Sequence, residues 1–425
     1  MDIDRSQIAK DAYFTLIKTE KFKAGLISVL FLSPLDEQTA AGNALFTQVL
    51  SRGCEKYPNL TAMARKKKSV YDTGLGATTY NIGENQVYGF NLDVLSNRYS
   101  IDGMDITDEA VGLLLDVLTS PVTENGVFKA EYVESEKRRL VDRINAQKNN
   151  KNAYSVMRCT DEMCRGERYG ISEIGTVKTV SAETPESVYR AYKHALESAR
   201  IEIVAVGSFD VSLKEKFVGA FSGIDRRPQP ICDTEVVRAP KGEVRRYDEK
   251  QNVKQGKLVI GFRTGSVLSD GDYAATALAV EIYGGSPISK LFMNVREKLS
   301  LCYHCSASSD GTKGIMTVRS GIDFSKYEAA KAEIYRQLDL LKKGEITDEE
   351  FDGAKKSLIN SLKERSDDPG AMRSWYLGRL LSGRLQSTDE YIDEINHVTK
   401  EQVMQKAALF KPDLEYFLKG DGEDE

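Results

Sequence analysis

Apolar positions along the chain follow two periods. The runs "AGLISVLFL" (24–32), "VYGFNLDV" (87–94), "GKLVIGF" (256–262) and "GIMTVRSGI" (314–322) are short and rich in β-branched and aromatic residues. They predict strands. Over 132–147 and 329–341 the apolar residues instead recur three and four apart, which predicts amphipathic helices. A helix is also expected over 41–53, with Ala44, Leu45, Val49 and Leu50 on one stripe and Gly53 as a C-cap candidate. Strands and helices come in blocks, not in strict alternation. That order predicts an α+β fold, with helices on one face of a mainly antiparallel sheet.

The block pattern occurs twice. "EKRRLVDRI" (136–144) aligns with "AKKSLINSL" (354–362), and "VSAE" at Val180 aligns with "VTKE" at Val398. Both pairs are offset by 218 positions (354 − 136 and 398 − 180). "IEIVAVGSFD" (201–210) resembles "LEYFLKGDGE" (414–423), and "GLISVLFLSPL" (25–35) resembles "GKLVIGFRTGS" (256–266). Four weak matches in one order identify an internal duplication. Residues 223–250 hold three prolines, mixed charge and no sustained apolar period, and read as a linker. The predicted organisation is two homologous αβ-sandwich domains, 1–222 and 251–425.

Composition narrows the class. With 425 residues the chain is too long for one ordinary core, and 41% hydrophobic with 29% charged residues is the balance of a globular protein. No window approaches the ~20 continuous apolar residues of a membrane span. The start "MDIDRSQIAK" is acidic where a signal peptide is basic and then apolar, so a cytoplasmic protein without a membrane partner is expected. A net charge of −5 gives no footprint for nucleic acid, and the short run Arg65–Lys68 reads as a solvated helix face. Six cysteines do not form a disulfide framework. Cys302 and Cys305 have CxxC spacing, as a metal or redox pair would, but they follow a helix and begin a strand, without a Gly or Pro knuckle. They are read as packing thiols, as are Cys159 and Cys164.

The stretch "GGSPISKLFMNVREKLSLCY" (284–303), combined with the duplication, resembles the pitrilysin/insulinase-type zinc metallopeptidases. The nearer likeness is to the short-chain branch typified by mitochondrial processing peptidase. The resemblance implies one half of a clam-shell that encloses unfolded peptide. Active members carry His-x-x-Glu-His on a helix of the first domain, with a further Glu from a later helix. The resemblance places these ligand positions at Ala44, Thr47, Gln48 and about Arg143. None of the four is a zinc ligand, and the chain's three histidines, His194, His304 and His397, form no i,i+4 pair. No cofactor is therefore expected in this chain, and zinc is expected in a partner.

The resemblance also implies roles for Arg296 and Tyr303, seven residues apart. At the matching positions an Arg and a Tyr hold the peptide backbone and donate to the carbonyl whose oxygen becomes an oxyanion. Read from the residues alone, Arg296 is a surface ion pair within "NVREK" and Tyr303 a half-buried strand residue, so both readings stand. Gly284, Gly285 and Ser286 lie where relatives touch incoming peptide, or they make a plain turn between helices. Residues 73–94 predict a hairpin, which in relatives offers an edge strand to peptide. The function expected is a non-catalytic, zinc-less subunit paired with a paralogous zinc-bearing peptidase subunit and acting on peptide substrate. The alternative is a structural subunit or peptide-binding homodimer of the same fold, with no part in catalysis.

Overall fold

The computed structural model describes residues 2–420, so the last part of the "LEYFLKGDGE" match lies outside the described residues. Along the chain, β1 (Asp2–Ala9), β2 (Ala12–Lys18) and β3 (Ala24–Pro34) lead into helices α1 (Ala40–Leu50) and α2 (Leu60–Ser69). The predicted hairpin follows as β4 (Gly74–Ile82) and β5 (Asn85–Leu95), then α3 (Ile106–Thr119) and the short β6 (Thr123–Glu124) and β7 (Val127–Phe128). Next come α4 (Ala130–Ala146), α5 (Lys151–Met163), α6 (Val177–Ala182), α7 (Pro185–Ser198), β8 (Arg200–Gly207) and α8 (Leu213–Phe221).

Residues 223–244 carry neither helix nor strand, but the last six residues of the stretch read as a linker form β9 (Arg245–Lys250). After it come β10 (Gly256–Arg263), α9 (Tyr273–Val280) and two wide π-type helical segments, Glu281–Gly285 and Leu291–Lys298. β11 (Cys302–Asp310) and β12 (Ile315–Ile322) precede α10 (Tyr327–Lys342), α11 (Asp348–Arg365), α12 (Pro369–Leu381), α13 (Thr388–His397), α14 (Lys400–Ala408) and β13 (Lys411–Lys419).

The two sheets repeat one plan. The first runs β1-β2-β8-β3-β5-β4, and the second, read from its other edge, runs β9-β13-β10-β12-β11. In each, the last strand of the repeat lies parallel to an early one (β8 with β2, β13 with β9), and every other pairing in the two sheets is antiparallel. Three of the four sequence matches fall on equivalent elements as far as they are described, β3 with β10, α4 with α11 and β8 with β13; VSAE ends α6, whereas VTKE joins the end of α13 to the start of α14. The fold is α+β, as the block order predicts.

Burial explains the first sheet. Ile27, Val29 and Phe31 of β3 stand opposite Leu92, Phe90 and Tyr88 of β5, so all six share one face. Phe46 of α1 meets Phe31 and Tyr88 there, with ring centroids 6.1 and 5.7 Å away and edge-on geometry. Buried aromatic pairs of this kind add about 0.5–1.5 kcal/mol beyond their area.

The compact units do not follow the midpoint of the sequence. The first comprises the chain up to Ala146, Ile171–Asp233 and Asp367–Trp375; the second comprises Gln147–Gly170, Thr234–Ser366 and Tyr376 onward. Helix α5, from the N-terminal half, thus belongs to the second unit. There a Cβ on Gly261 of β10 would meet Met163 Sδ at 2.6 Å and Cys159 Sγ at 3.3 Å. The neighbouring Phe262 faces the opposite way, onto Tyr335 of α10, with centroids 6.4 Å apart. Helices therefore cover both faces of the second sheet, α5 being an addition to the one-face layer read from the sequence. The repeat equivalent of Lys151 is position 369 (151 + 218), the start of α12, whose first turns belong to the first unit. The exchange is reciprocal.

Candidate functional site

Leu291 and Val295 are buried one turn apart and seat the segment Leu291–Lys298 in the core, which leaves Arg296 on its outer side. The chain turns through Ser300, whose φ of 50° is left-handed, and Lys326 Nζ donates to the Ser300 carbonyl at 3.0 Å. β11 then begins, bringing Tyr303 beside Arg296. Both line an open cleft of ≈ 410 Å³, together with Ser300, Cys302, Asp323 and Lys326.

The two side chains are held loosely. Tyr303 is 62% exposed and its hydroxyl donates to Asp323 Oδ1 at 3.2 Å. The Arg296 guanidinium lies 4.6 Å over the Phe292 ring, with Nε 3.5 Å from Glu297. A guanidinium and a phenol on one open wall can grip a peptide carbonyl.

Gly284, Gly285 and Ser286 do not line this cleft. Gly284 is buried under β11, where a Cβ would lie 2.6 Å from the Ala307 backbone nitrogen and 2.8 Å from Leu291. At Gly285 the added carbon would meet only the carboxylate of Glu281, the movable end of a flexible side chain. Ser286 is buried with its hydroxyl unpartnered. Gly284→Ala is thus expected to lower stability by about 1–3 kcal/mol through overpacking, while Gly285→Ala stays within about 0.5 kcal/mol. Urea midpoints of the two variants check the contrast. Equal midpoints would remove the packing explanation for Gly284.

The four positions that the resemblance matches to zinc ligands lie on α1 and α4. Every residue of α1 is buried except Gln48, which is half-buried. Ala44 is 2% and Thr47 0% exposed, and Thr47 Oγ1 donates to the Ala44 carbonyl at 2.9 Å. Asn43 Nδ2 donates to Gln86 Oε1, whose amide nitrogen in turn donates to the carbonyls of Ala40 and Glu173, so a buried amide pair anchors the helix. Arg143 is exposed near the end of α4. A methyl group, a hydroxyl spent on its own helix, an amide and a guanidinium do not fit a zinc ion. Among the described residues no group of three or more His, Cys, Asp or Glu side chains could hold a metal.

An α4 residue beyond those expected from the sequence reaches the chain just after α1. Glu136 is 2% exposed, and its Oε1 accepts from Arg52 Nη1 at 2.6 Å and from Arg139 at 3.3 Å. Arg52 lies just beyond α1 in an i,i+4,i+8 row with Ala44 and Gln48, so a guanidinium supplies the cation facing the buried carboxylate. The signal was present: Glu136 stands among Tyr132, Val133 and Leu140 on the buried face of α4. Arg52→Ala is expected to cost about 1.5–3 kcal/mol, the range for hydrogen bonds to a charged group. It should still bind no stoichiometric zinc, because neither Ala44 nor Gln48 offers an imidazole. Denaturation and metal analysis of the purified variant test both parts.

Gly53 corrects another expectation. Its φ is not left-handed and Ser51 caps the helix; a Cβ on Gly53 would instead meet the Tyr57 carbonyl oxygen at 2.5 Å. The glycine permits close approach of the following backbone. Among the described residues, no helix is long and apolar enough to cross a membrane.

Residues 182–358 match the family described as Peptidase M16 inactive domain. The chain is 29% identical over 405 residues to a protein of Bacillus subtilis named "Probable inactive metalloprotease YmfF", covering 95% of each. A conserved protein from Enterococcus faecalis superposes with a TM-score of 0.91 at 24% identity over 100% of both chains. A peptidase M16 inactive domain from Pseudomonas fluorescens superposes with a TM-score of 0.77 at 18% identity, covering 99% of this chain and 98% of that one.

Proposed function

We propose that this chain, which is similar to M16-type peptidases and carries at the positions matching their zinc ligands residues unable to bind the metal, is the non-catalytic subunit of a two-chain metallopeptidase. A paralogous subunit supplies zinc and the catalytic base; this chain supplies Arg296 and Tyr303, which bind the peptide backbone and donate to the oxyanion. The observation that carries this reading is the asymmetry between the two places. Ala44 and Thr47 are closed into the packing of α1, whereas Tyr303 stands exposed and Arg296 half-buried on one open cleft. A side chain kept only for packing does not need 62% exposure. Unfolded peptides in the cytoplasm are the substrates we assign.

The test is to purify the full chain alone and together with a paralogue that carries an intact His-x-x-Glu-His motif. Zinc content, complex formation and cleavage of a quenched peptide are then measured. Expected is no stoichiometric zinc and no cleavage by this chain, with cleavage by the complex. Zinc-dependent cleavage by the chain alone would overturn the proposal. A stable homodimer that ignores the paralogue would favour the peptide-binding or structural reading instead.

A further inference from the structure

Cys302 and Cys305 are three residues apart on a strand, a spacing that normally sends two side chains to opposite faces. The pairing of β11 with β12 changes this. Cys302 stands opposite Ile322, whereas His304 stands opposite Gly321 and Cys305 opposite Ser320. One extra residue, Tyr303, is accommodated as a bulge. Ile322 and Ser320 are two apart on β12 and share a face, so their partners Cys302 and Cys305 share it too. Two residues of strand span about 6.5 Å, within the Cα separation of roughly 4.4–6.8 Å that a disulfide bridges.

Their surroundings differ in the sense a reactive pair requires. Cys302 is half-buried in the wall of the cleft. The hydrogen bond from Cys305, and then the charges of Arg296 and Lys326, outweigh burial and hold its thiol below the ordinary cysteine range. Cys305, 2% exposed, is pushed well above that range by its bond to Cys302 and by burial. Elsewhere, Cys54, Cys159 and Cys164 are fully buried, which pushes their thiols up. Cys232 spends its S–H on the Glu84 carbonyl.

We propose that Cys302 and Cys305 form a redox-active dithiol, closed to a disulfide across the Tyr303 bulge by hydrogen peroxide. The Cys302 thiolate attacks one peroxide oxygen; the S–O bond forms, the O–O bond breaks, and the departing hydroxide takes a proton to become water. The resulting sulfenic acid is attacked at sulfur by Cys305, which gives up its proton. The S–S bond forms, the S–O bond breaks, and a second water leaves. Two thiols have lost two electrons, and one peroxide has become two waters. Because Tyr303 is the bulged residue between the two sulfurs, the oxidised pair fixes the strand that presents it to the cleft.

The test uses the full folded chain and mass spectrometry. Tryptic cleavage after Lys298 and Lys313 gives a peptide, 299–313, that holds both cysteines and no other. After peroxide treatment and alkylation in denaturant, this peptide is expected to be two hydrogens lighter and unalkylated, and a dithiol reductant should restore both alkylation sites. In the untreated folded chain, Cys302 is expected to alkylate faster than any other cysteine, being the half-buried thiol in the cleft wall. Cys305→Ser should stop Cys302 at a sulfenic acid trapped by dimedone, and Cys302→Ser should leave Cys305 unreacted. Two free, alkylatable thiols after peroxide, or overoxidation of Cys302 without closure, would overturn the proposal. So would a Cys302→Ser chain whose Cys305 oxidises at the parent rate.

Discussion

Asp413→Ala is expected to destabilise the second unit by about 3–5 kcal/mol, the cost of removing one partner from a buried ion pair. Asp413 is the extra residue of a bulge in β13, since Gly261 pairs with Leu414 and Phe262 with Pro412. It is 5% exposed, and its two oxygens accept from Arg263 Nε and Arg245 Nη2, both at 2.8 Å. Arg263 is itself 2% exposed and also donates to Glu167 Oε1 at 2.6 Å and to the Met163 carbonyl at 3.0 Å. Lys313, fully buried, reaches Glu167 Oε2 at 2.7 Å. Burial alone would lower the Arg263 pKa, but its bonds to Glu167 and Asp413 prevail and keep the cation firmly charged. The alanine variant leaves that buried charge with only Glu167 and the Met163 carbonyl as partners. Asp413→Asn keeps the volume and one good acceptor, so it should lose clearly less. Urea unfolding at neutral pH measures both, and an alanine variant within about 1 kcal/mol of the parent would show that the network carries little.

The same cluster gives the protein an acid limit. Burial raises the Glu167 pKa, but hydrogen bonds from Arg263 and Lys313 outweigh it and the folded value lies below the unfolded 4.5. A carboxylate depressed in the folded state contributes stability above the unfolded value and loses it as pH falls through the folded one. Unfolding free energy is therefore expected to fall as pH drops below about 4.5, and Glu167→Gln should flatten that slope.

If the chain works as the proposed subunit of a two-chain enzyme, Arg296→Ala is expected to lower the complex's kcat about 10²–10³-fold, the usual effect of removing one oxyanion donor. Tyr303→Phe removes only a hydroxyl, and its loss should lie in the same range if the phenol donates in the transition state. Neither side chain holds up the fold. Arg296 lies at a segment end over Phe292, and the Tyr303 hydroxyl touches only the exposed Asp323. Zinc content, complex formation and melting temperature should therefore match the parent complex, which separates lost chemistry from lost assembly. Arg296→Lys should rescue poorly, because an ammonium cannot reproduce the two-point geometry of a guanidinium. Activity within about twofold of the parent for both variants would remove Arg296 and Tyr303 from the reaction and leave the subunit pairing to be judged separately.

Much of this fold is legible in the chain because each repeat was read twice. The runs at 25–35 and 256–266 are β3 and β10, and the pair at 136–144 and 354–362 lies in α4 and α11. Other features need the third dimension. The amphipathic pattern of α5 says that one face is buried, not which sheet buries it. Gly53 follows an apolar helical stripe and so reads as a cap, whereas its lack of a side chain serves the backbone at Tyr57. In the candidate site, Arg296 and Tyr303 are visible only through a motif resemblance, since an Arg before a Glu and a Tyr on a strand are ordinary surface residues. The Tyr303 bulge leaves no mark in "CYHCSA", because register belongs to the pairing and not to either strand.

The placement of α5 has a bearing on how the protein can be divided. A fragment that starts after the irregular stretch 223–244 keeps every strand of the second sheet but lacks the helix covering Val259, Leu414 and Tyr416, all at most 2% exposed in the intact chain. Such a fragment would meet water with a bare apolar face and aggregate, or capture a helix from another molecule. Expression boundaries drawn at the middle of the gene thus cut through the second core, and a soluble fragment has to carry residues 147–170 with it. Duplication copied the half-chain, but the half-chain is not what folds.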